Sequence, residues 1–257
     1  MQLPRFAVDD IIITALKEDI HYIDTTTDLM IPADSRSTAR FLAKAEGVVY
    51  VRDGDAVKPG DLLAECEGST RFLLKGERTA LNLLQHLSGI ATATNRAVKL
   101  VEGTRATITD TRKTLPGLRA LQKYAVTVGG GKNHRFNLSD GAMLKDNHID
   151  AAGGITPAVN ALRSKLGHMV KLEVETRNLD EVKEALAAGA DIIMLDNMSC
   201  EDMRKAVELA DGRVPLEASG GITDETLRQV AETGVDIISI GALTHSVRAL
   251  DISMKIK

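Results

Sequence analysis

The chain has 257 residues, of which 44% are hydrophobic and 26% charged, and its formal net charge is −4. This composition is typical of a globular protein with one large domain or two modest ones, and it excludes a disordered chain. No run approaches the roughly 18 apolar residues of a membrane span. With no Trp, three Tyr and four Phe, side chains for stacking on bases are scarce. We therefore expect neither a membrane nor a nucleic-acid partner.

The amino terminus and the cysteines bear on the compartment. Residues 1–10 carry acidic side chains and lack the apolar core of an export signal, which favours a cytoplasmic protein. Cys66 and Cys200 lie far apart and form neither a metal-binding spacing nor a disulfide framework. We expect both to be buried as small hydrophobic residues in a reducing environment.

The first third of the chain predicts an α+β domain that ends in a long helix. The helix is expected over 76–103, where apolar side chains recur at helical spacing. Turn residues stand at 53–54 and 59–60. Four short segments predict strands: 38–44, 47–52, 64–67 and 70–74. The tail, 250–256, alternates apolar residues and predicts a strand that returns to this domain.

The remainder repeats a strand followed by an amphipathic helix. Apolar runs predict strands at 106–111, 141–146, 170–175, 191–196, 214–219 and 236–241. Helices are predicted between the later strands at 179–188, 200–210 and 224–233. Ser199 and Asp202 resemble a capping box, and Gly189, Gly212 and Gly234 stand where helix C-caps are expected. Such βα repeats predict a parallel α/β barrel or an open doubly wound sheet, and polar residues at successive strand ends favour the barrel.

One segment of this acidic chain is strongly basic. Between Arg105 and Lys145 there are eight basic residues and two acidic ones, Asp110 and Asp140. This distribution indicates a local site for an anionic ligand.

Polar residues at the strand ends are candidates for catalysis, because barrel active sites lie at the carboxyl ends of the strands. Each one also has a structural explanation. Glu173 and Glu175 would serve as solvated charges at a strand edge, Asp196 as a helix cap, and His134 as a structural histidine. As a set, however, these side chains lie at one end of the predicted barrel, with basic residues after the earlier strands and acidic residues after the later ones.

Glycines follow the last two predicted strands, at Ser219-Gly220-Gly221 and at Gly241-Ala242. Loops at these positions of a barrel often bind phosphate through backbone N–H groups. Another run, Gly129–Gly131, is consistent with a flexible turn and precedes a basic tetrapeptide, Lys132–Arg135.

These segments together resemble quinolinate phosphoribosyltransferases. The resemblance covers nearly the whole chain and is carried by the motifs DTRKT at 110–114, PGLR at 116–119, GGGKNHR at 129–135 and LKDNH at 144–148. Further matching segments are 77–82, 172–175, 194–197, 217–222 and 241–246.

The resemblance implies a two-domain α/β architecture. An N-terminal α+β sandwich, residues 1–85, is completed by the C-terminal strand within 247–257, and an incomplete parallel α/β barrel occupies 86–246. It also implies a homodimer, or a larger assembly of such dimers, in which the partner's sandwich completes each active site. The chain departs from the family pattern at one point, because relatives have a longer segment between the equivalents of Val49 and Val51.

The resemblance further implies the reaction, the cofactor and the site. Quinolinate and phosphoribosyl pyrophosphate would give nicotinate mononucleotide, pyrophosphate and carbon dioxide, with Mg²⁺ as the cofactor. Lys113, Lys145, Glu175 and Asp196 are the implied catalytic residues, and Glu175 and Asp196 would hold Mg²⁺ directly or through water. The substrate-binding residues that it implies are Arg78 (from the partner), Thr111, Arg112, Lys113, His134, Arg135, Lys145, Glu175, Asp196, Ser219, Gly220, Gly221, Gly241, Ala242, Leu243 and His245.

Three alternatives remain open from the residues. A related phosphoribosyltransferase, such as the molybdenum-locus relative of this family, would use another aromatic acid. A Schiff-base aldolase would use Lys113 or Lys145, although nothing marks either lysine as desolvated. Residues 48–67 resemble half of a biotinyl or lipoyl carrier domain, but they lack the modified lysine between hydrophobic residues.

Overall fold

The computed structural model describes residues 3–49 and 54–257, and its described residues form two compact units. The first contains the residues up to Asn95 together with Lys113–Gly130 and Ala242–Lys257. The second contains Arg96–Arg112 and Gly131–Gly241. The domain boundaries at residues 85 and 246 remain predictions. Part of the strand expected at 47–52, and Asp53 of the first turn, lie outside the described residues.

Two helices open the first unit, α1 (Arg5–Asp19) and α2 (Thr25–Met30). Neither was predicted from the sequence. The apolar side chains of α1 are spread around its axis, and none of its residues is buried, so the one-sided pattern that identifies a packed helix is missing. The Asp24 side chain caps α2 by accepting a hydrogen bond from the Thr27 N–H.

A three-stranded antiparallel sheet forms the centre of the first unit. Its strands are β1 (Arg36–Ala43), β4 (Leu62–Ser69) and β11 (Ile252–Ile256), in the order β11-β1-β4. Phe41 on β1 pairs with Met254 on β11, and both side chains are buried. The prediction that the tail returns to the N-terminal strands is therefore confirmed. A short ribbon joins β2 (Gly47–Val48) to β3 (Ala56–Val57).

Helix α3 runs from Thr70 to Leu100 and covers this sheet. The strand predicted at 70–74 is wrong, because these residues form the first turn and a half of the helix. Leu73 packs on the same hydrophobic cluster as Leu81 and Leu84, so the helical spacing of apolar side chains extends upstream. Two shorter helices complete the unit, α4 (Arg119–Val128) and α10 (Ala242–His245). Gly129, the first of the three consecutive glycines, is the C-cap of α4.

The second unit consists of parallel strands that alternate with helices. Its strands are β5 (Thr107–Thr109), β6 (Ala142–Leu144), β7 (Leu172–Thr176), β8 (Ile192–Asp196), β9 (Leu216–Ser219) and β10 (Ile237–Ser239). Its helices are α5 (Asp146–Ala152), α6 (Ile155–Arg163), α7 (Leu179–Ala188), α8 (Cys200–Ala210) and α9 (Asp224–Ala231). Every strand and helix that was predicted for this part of the sequence is present, with ends shifted by up to two residues.

The strand order distinguishes the two folds that the sequence left open. The order is β5-β10-β9-β8-β7-β6, so successive strands from β6 to β10 always add on the same side and β5 follows β10. A doubly wound sheet would reverse direction at a switch point, whereas a barrel winds in one direction. The second unit therefore has the winding of an α/β barrel. Its end strands β5 and β6 do not pair within the described residues, as expected for an incomplete barrel.

The helix caps agree with the sequence in part. Gly189 is the left-handed C-cap of α7, as predicted. Helix α8 instead ends at Asp211 and α9 at Glu232, so Gly212 and Gly234 lie one and two residues beyond the caps. At the other end of α8, the Ser199 side chain accepts the Asp202 N–H as expected of an N-cap.

The expectation that both cysteines are buried is wrong. Cys66 is exposed on β4, and Cys200 is partly exposed at the start of α8. Among the described residues, no helix is long and apolar enough to cross a bilayer.

Candidate active site in the barrel unit

Side-chain alternation on β7 and β9 places apolar residues on one face of the parallel sheet and polar residues on the other. On β7, Leu172 and Val174 are fully buried under the helices, while Glu173 and Glu175 project from the opposite face. On β9, Glu217 and Ser219 share that second face. The carboxylates and the serine therefore line the inside of the barrel unit in two layers. Glu173 and Glu217, which are one step nearer the amino ends of their strands, form the lower layer. Glu175 and Ser219 belong to the upper layer, at the carboxyl ends.

A cavity of about 310 Å³ lies at the lower layer. It is lined by residues of β5 to β10 and of the loop 133–141. Its charged lining consists of His134, Arg135, Asp140, Lys171, Glu173 and Glu217. Two of the predicted quinolinate ligands, His134 and Arg135, thus face one cavity together with two buried acids.

His134 is held by contacts at three of its atoms. Its backbone N–H donates to Asp110 Oδ1 at 2.9 Å, and its ring Nε2 lies 3.0 Å from Glu173 Oε2. The other ring nitrogen, Nδ1, accepts the Arg135 N–H at 2.8 Å. Glu217 Oε1 is 3.6 Å from Nε2. The alternative that Glu173 is a solvated charge at a strand edge is wrong, since its side chain is only 6% exposed.

The buried acids influence one another electrostatically. Burial and the neighbouring Glu173 carboxylate raise the pKa of Glu217 to about 7, although the charge of His134 and the polar Ser239 hydroxyl nearby act in the opposite direction. A carboxyl group in such surroundings exchanges its proton near neutral pH.

Arg135 brings a second cation to the cavity. Its guanidinium donates to the Gly141 carbonyl oxygen at 2.8 Å and contacts Met143 Sδ at 3.6 Å. Burial lowers the pKa of Arg135, and the charge of Arg112 lowers it further. Arg112 and Arg135, both predicted quinolinate ligands, are therefore close enough to repel each other, which favours an anion between them.

The upper layer contains the acids predicted to bind ribose and metal. Lys145 Nζ lies 3.2 Å from Glu175 Oε2, and the lysine side chain is half exposed. Asp196 pairs with Ser219 across β8 and β9, and its Oδ2 accepts a hydrogen bond from Asn197 Nδ2 at 2.9 Å. The structure thus places Lys145, Glu175, Asp196 and Ser219 at the carboxyl edge of consecutive strands.

The close approach of Asn197 explains why a glycine is needed directly after β9. A Cβ atom on Gly220 would lie 2.3 Å from Asn197 Oδ1, and the backbone of Gly220 has a φ of +91°. Only glycine fits both conditions. Gly221 follows with a positive φ as well, and it is exposed. The loop after β9 is therefore shaped by a close approach to the end of β8.

The other predicted site residues are divided between the units. Thr111 and Arg112 follow β5, and Gly241 follows β10, in the second unit. Lys113, Ala242, Leu243 and His245 belong to the first unit, where the Thr244 hydroxyl donates to the Lys113 carbonyl oxygen at 2.7 Å. Arg78 is exposed on α3, also in the first unit.

Glu217 and Asn197 were not among the sequence candidates for the site, and Glu173 was considered there without an assigned role. A signal for the two acids was present, because an acidic residue inside an otherwise apolar parallel strand interrupts the expected run of Val, Ile and Leu. Asn197 gave no such signal, because its importance depends on a left-handed backbone conformation with a φ of +53°.

Comparison with known proteins is consistent with the resemblance read from the motifs. The C-terminal domain model of quinolinate phosphoribosyl transferases matches residues 90–255, and the N-terminal domain model matches residues 49–88. A probable nicotinate-nucleotide pyrophosphorylase (carboxylating) of Bacillus subtilis is 50% identical over 211 residues, which cover 82% of this chain and 73% of the relative.

Two further relatives extend over nearly the full length. The nicotinate-nucleotide pyrophosphorylase (carboxylating) of Mycobacterium leprae is 42% identical over 96% of each chain. The crystal structure of NadC from Streptococcus pyogenes is also 42% identical and superimposes with a TM-score of 0.96, covering 100% of this chain and 99% of that one. On these matches, the chain belongs to the quinolinate phosphoribosyltransferase family.

Proposed function

We propose that this protein transfers the phosphoribosyl group of phosphoribosyl pyrophosphate to quinolinate with loss of one carboxylate, a step of de novo NAD biosynthesis. The products are nicotinate mononucleotide, pyrophosphate and carbon dioxide. The observation that carries the proposal is family membership over nearly the whole chain, with relatives named for this activity at 40–50% identity.

The charge distribution of the site suits two anionic substrates. Arg112, Lys113, His134 and Arg135 would bind the two quinolinate carboxylates, because arginine presents a planar pair of donors to a carboxylate. Lys145 would lie near both substrates. The repulsion between Arg112 and Arg135 is relieved when a dicarboxylate binds between them, so the site is preorganised for negative charge.

The chain needs no nucleophile of its own for this reaction. The pyridine nitrogen of quinolinate forms a bond to the anomeric carbon while the bond from that carbon to pyrophosphate breaks. Loss of carbon dioxide then leaves an electron pair on the adjacent ring carbon, which is stabilised by the positive ring nitrogen and takes up a proton. The residues of the chain position two anions that repel each other and keep them in line.

The acids of the upper layer fit a magnesium ion. Glu175 and Asp196 end neighbouring parallel strands and offer only oxygen ligands, which Mg²⁺ prefers, and Mg²⁺ commonly uses one or two protein carboxylates besides water and phosphate oxygens. When bound, the ion would neutralise the pyrophosphate as it leaves. Glu175 and Asp196 would also accept hydrogen bonds from the ribose hydroxyls, and residues Ser219–Gly221 and Gly241–Leu243, with His245, would surround the 5′-phosphate.

The same proposal includes a homodimer with shared sites, alone or within a larger assembly. Four large apolar side chains of the first unit, Phe6, Leu29, Met30 and Phe72, are each more than two thirds exposed, which favours their burial against another copy of the chain. Arg78 is exposed as well and would reach the partner's quinolinate. A cytoplasmic location remains a prediction.

Substrate choice tests the function against the related molybdenum-locus enzyme. We expect product formation from quinolinate, phosphoribosyl pyrophosphate and Mg²⁺, and at least a hundredfold lower kcat/KM for nicotinate, because a site built for two carboxylates leaves buried cations unmatched when one is missing. Nicotinate mononucleotide is quantified by liquid chromatography. Equal use of nicotinate, or no turnover of quinolinate, would contradict the assignment.

A further inference from the structure

Two buried carboxylates, Glu173 and Glu217, have no part in the substrate contacts proposed above. Their side chains are 6% and 2% exposed, and Oε1 of each lacks a hydrogen-bond partner among the described residues. Burial of an ionised carboxylate is costly unless cations and hydrogen bonds compensate for the lost water. The inside of a barrel is usually filled by branched apolar side chains, so these two acids require a separate explanation.

The explanation begins with His134, which both acids face. Because Nδ1 accepts the Arg135 N–H at 2.8 Å, the ring donates through Nε2, and Nε2 lies 3.0 Å from Glu173 Oε2. Glu217 approaches the same nitrogen from β9 at 3.6 Å. The hydrogen bond at one ring nitrogen fixes the proton position at the other. Glu173 therefore fixes the orientation and the tautomer of the His134 ring through a hydrogen bond, and Glu217 adds a second carboxyl group beside the same nitrogen.

The arrangement extends from His134 to Arg135. The ring nitrogen that the acids leave as an acceptor binds the N–H of the Arg135 peptide, so the imidazole links β7 and β9 to the backbone that carries the guanidinium. The Glu173 charge also attracts the Arg135 guanidinium and opposes the repulsion from Arg112. Glu173 thus acts on both neighbouring cations, one through a hydrogen bond and the other through its charge.

We propose that Glu173 and Glu217 are positioning residues that preassemble the cationic pocket for the pyridine dicarboxylate by holding His134 and, through it, Arg135. This inference rests on the proposed function. It assigns the lower layer of the barrel to quinolinate recognition, while the upper layer of Glu175, Asp196 and Ser219 serves phosphoribosyl pyrophosphate. Loosening a binding group by a fraction of an ångström weakens recognition strongly.

The test compares two substitutions at each acid. Glu173→Gln and Glu217→Gln retain an oxygen that accepts a hydrogen bond, whereas Glu173→Leu and Glu217→Leu retain the size without an acceptor. We expect the KM for quinolinate to rise roughly 10- to 100-fold in the leucine variants and to be partly restored in the glutamine variants. The KM for phosphoribosyl pyrophosphate should change less than about twofold, because the upper layer is intact.

Met194→Leu is the matched control. Met194 is buried on β8, in register with Glu217 on one side and Glu175 on the other, and the exchange nearly conserves volume. It should leave both KM values unchanged. Parallel rises in both KM values, or wild-type quinolinate KM in folded leucine variants, would overturn the positioning role. A stoichiometric divalent metal in the purified protein, lost in the four variants, would overturn it in favour of a cation site. An inactive wild-type protein would instead contradict the proposed function.

Discussion

Lys113 is the cation whose loss is expected to affect turnover most directly. It follows Arg112 at the end of the first barrel strand, its side chain is exposed, and it belongs to the basic segment. Removing one charge-assisted contact to a substrate carboxylate should cost about 2–4 kcal/mol of transition-state stabilisation, or roughly 30- to 1000-fold in kcat/KM. Lys113→Ala should therefore be nearly inactive in the quinolinate assay while its unfolding temperature stays close to that of wild type.

The control for this prediction is Lys165→Ala. Lys165 is also exposed but follows helix α6, outside the basic segment. Its removal should leave kcat/KM unchanged. Wild-type activity in Lys113→Ala would remove this lysine from the site.

Glu217 gives the stability of the protein a specific dependence on pH. The pKa of this group is raised from 4.5 to about 7 in the folded chain. Below the pKa of the unfolded state the group is protonated in both states and does not reduce the free energy of unfolding. Above the pKa of the folded state it must be buried as an anion, and the destabilisation is complete. Glu217→Gln should consequently raise the unfolding temperature by several degrees at pH 8 and by little at pH 5.

Glu225 provides a comparison, because its pKa is shifted in the opposite direction from that of Glu217. This exposed residue lies in the first turn of α9, and the Thr223 hydroxyl bonded to it lowers its pKa. Its contribution to stability is present above the unfolded pKa and is lost as the pH falls through the lower folded value. Glu225→Gln should thus lower the unfolding temperature slightly at pH 8 and have no effect at pH 3. A gain from Glu217→Gln that did not grow with pH would show that its burial carries no penalty.

At the level of elements, helix α3 depends on one close contact with the chain that returns to it. A Cβ atom on Gly89 would lie 2.3 Å from the Arg248 carbonyl oxygen and 3.1 Å from Ala249 Cα, both backbone atoms that cannot move aside easily. Gly76, on the same helix, has no atom within 4 Å of the corresponding position. Alanine substitutions at the two glycines therefore distinguish the effect of packing on stability from the effect of helix propensity.

Gly89→Ala should destabilise the protein by about 1–3 kcal/mol through overpacking. Gly76→Ala should stabilise it by about 0.5–1 kcal/mol, because alanine loses less entropy in a helix. Urea denaturation followed by circular dichroism measures both. Similar effects of the two substitutions would contradict the close contact at Gly89.

The elements also show what a sequence pattern can predict. The six strands and the last three helices of the barrel unit were located within two residues because each of these helices buries one face and each strand ends at a polar group, as Leu179–Ala188 and Ile192–Asp196 illustrate. The shorter helices α5 and α6 were not predicted. Helix α1 was not predicted because its apolar side chains are spread around the helix, and those that pack on the core, Val8 and Ile11, are only partly buried. The turn at 70–74 was assigned to a strand because five residues are too few to distinguish the two periodicities.

The site was predictable where motifs specify chemistry and unpredictable where the tertiary structure does. The basic segment and the acids at strand ends identified Arg112, Lys145 and Glu175 as candidates. His134 meets Glu173 and Glu217, which lie 39 and 83 positions away in the sequence, because β8 pairs with β7 on one side and with β9 on the other. No local sequence pattern predicts that these three side chains meet, because their proximity depends on the order of the strands in the sheet.

For the whole molecule, the central question is whether each active site contains residues of two chains. Arg78 is exposed on α3, and the resemblance to the family predicts that its side chain enters the quinolinate pocket of the partner. In an isologous dimer, each site would then combine Lys113 of one chain with Arg78 of the other. An alternative is that Arg78 is a solvated helix cation with no role in the reaction.

Complementation between two inactive variants distinguishes these possibilities. Arg78→Ala and Lys113→Ala should each be nearly inactive, but a heterodimer has one site in which both wild-type residues are present. Random exchange makes about half of the dimers mixed, and one of their two sites is restored, so activity should recover to about a quarter of the wild-type value by the symmetry of the dimer. Subunit exchange is verified by native mass spectrometry before the assay. If the exchanged mixture stayed as inactive as its parents, each site would be formed by a single chain.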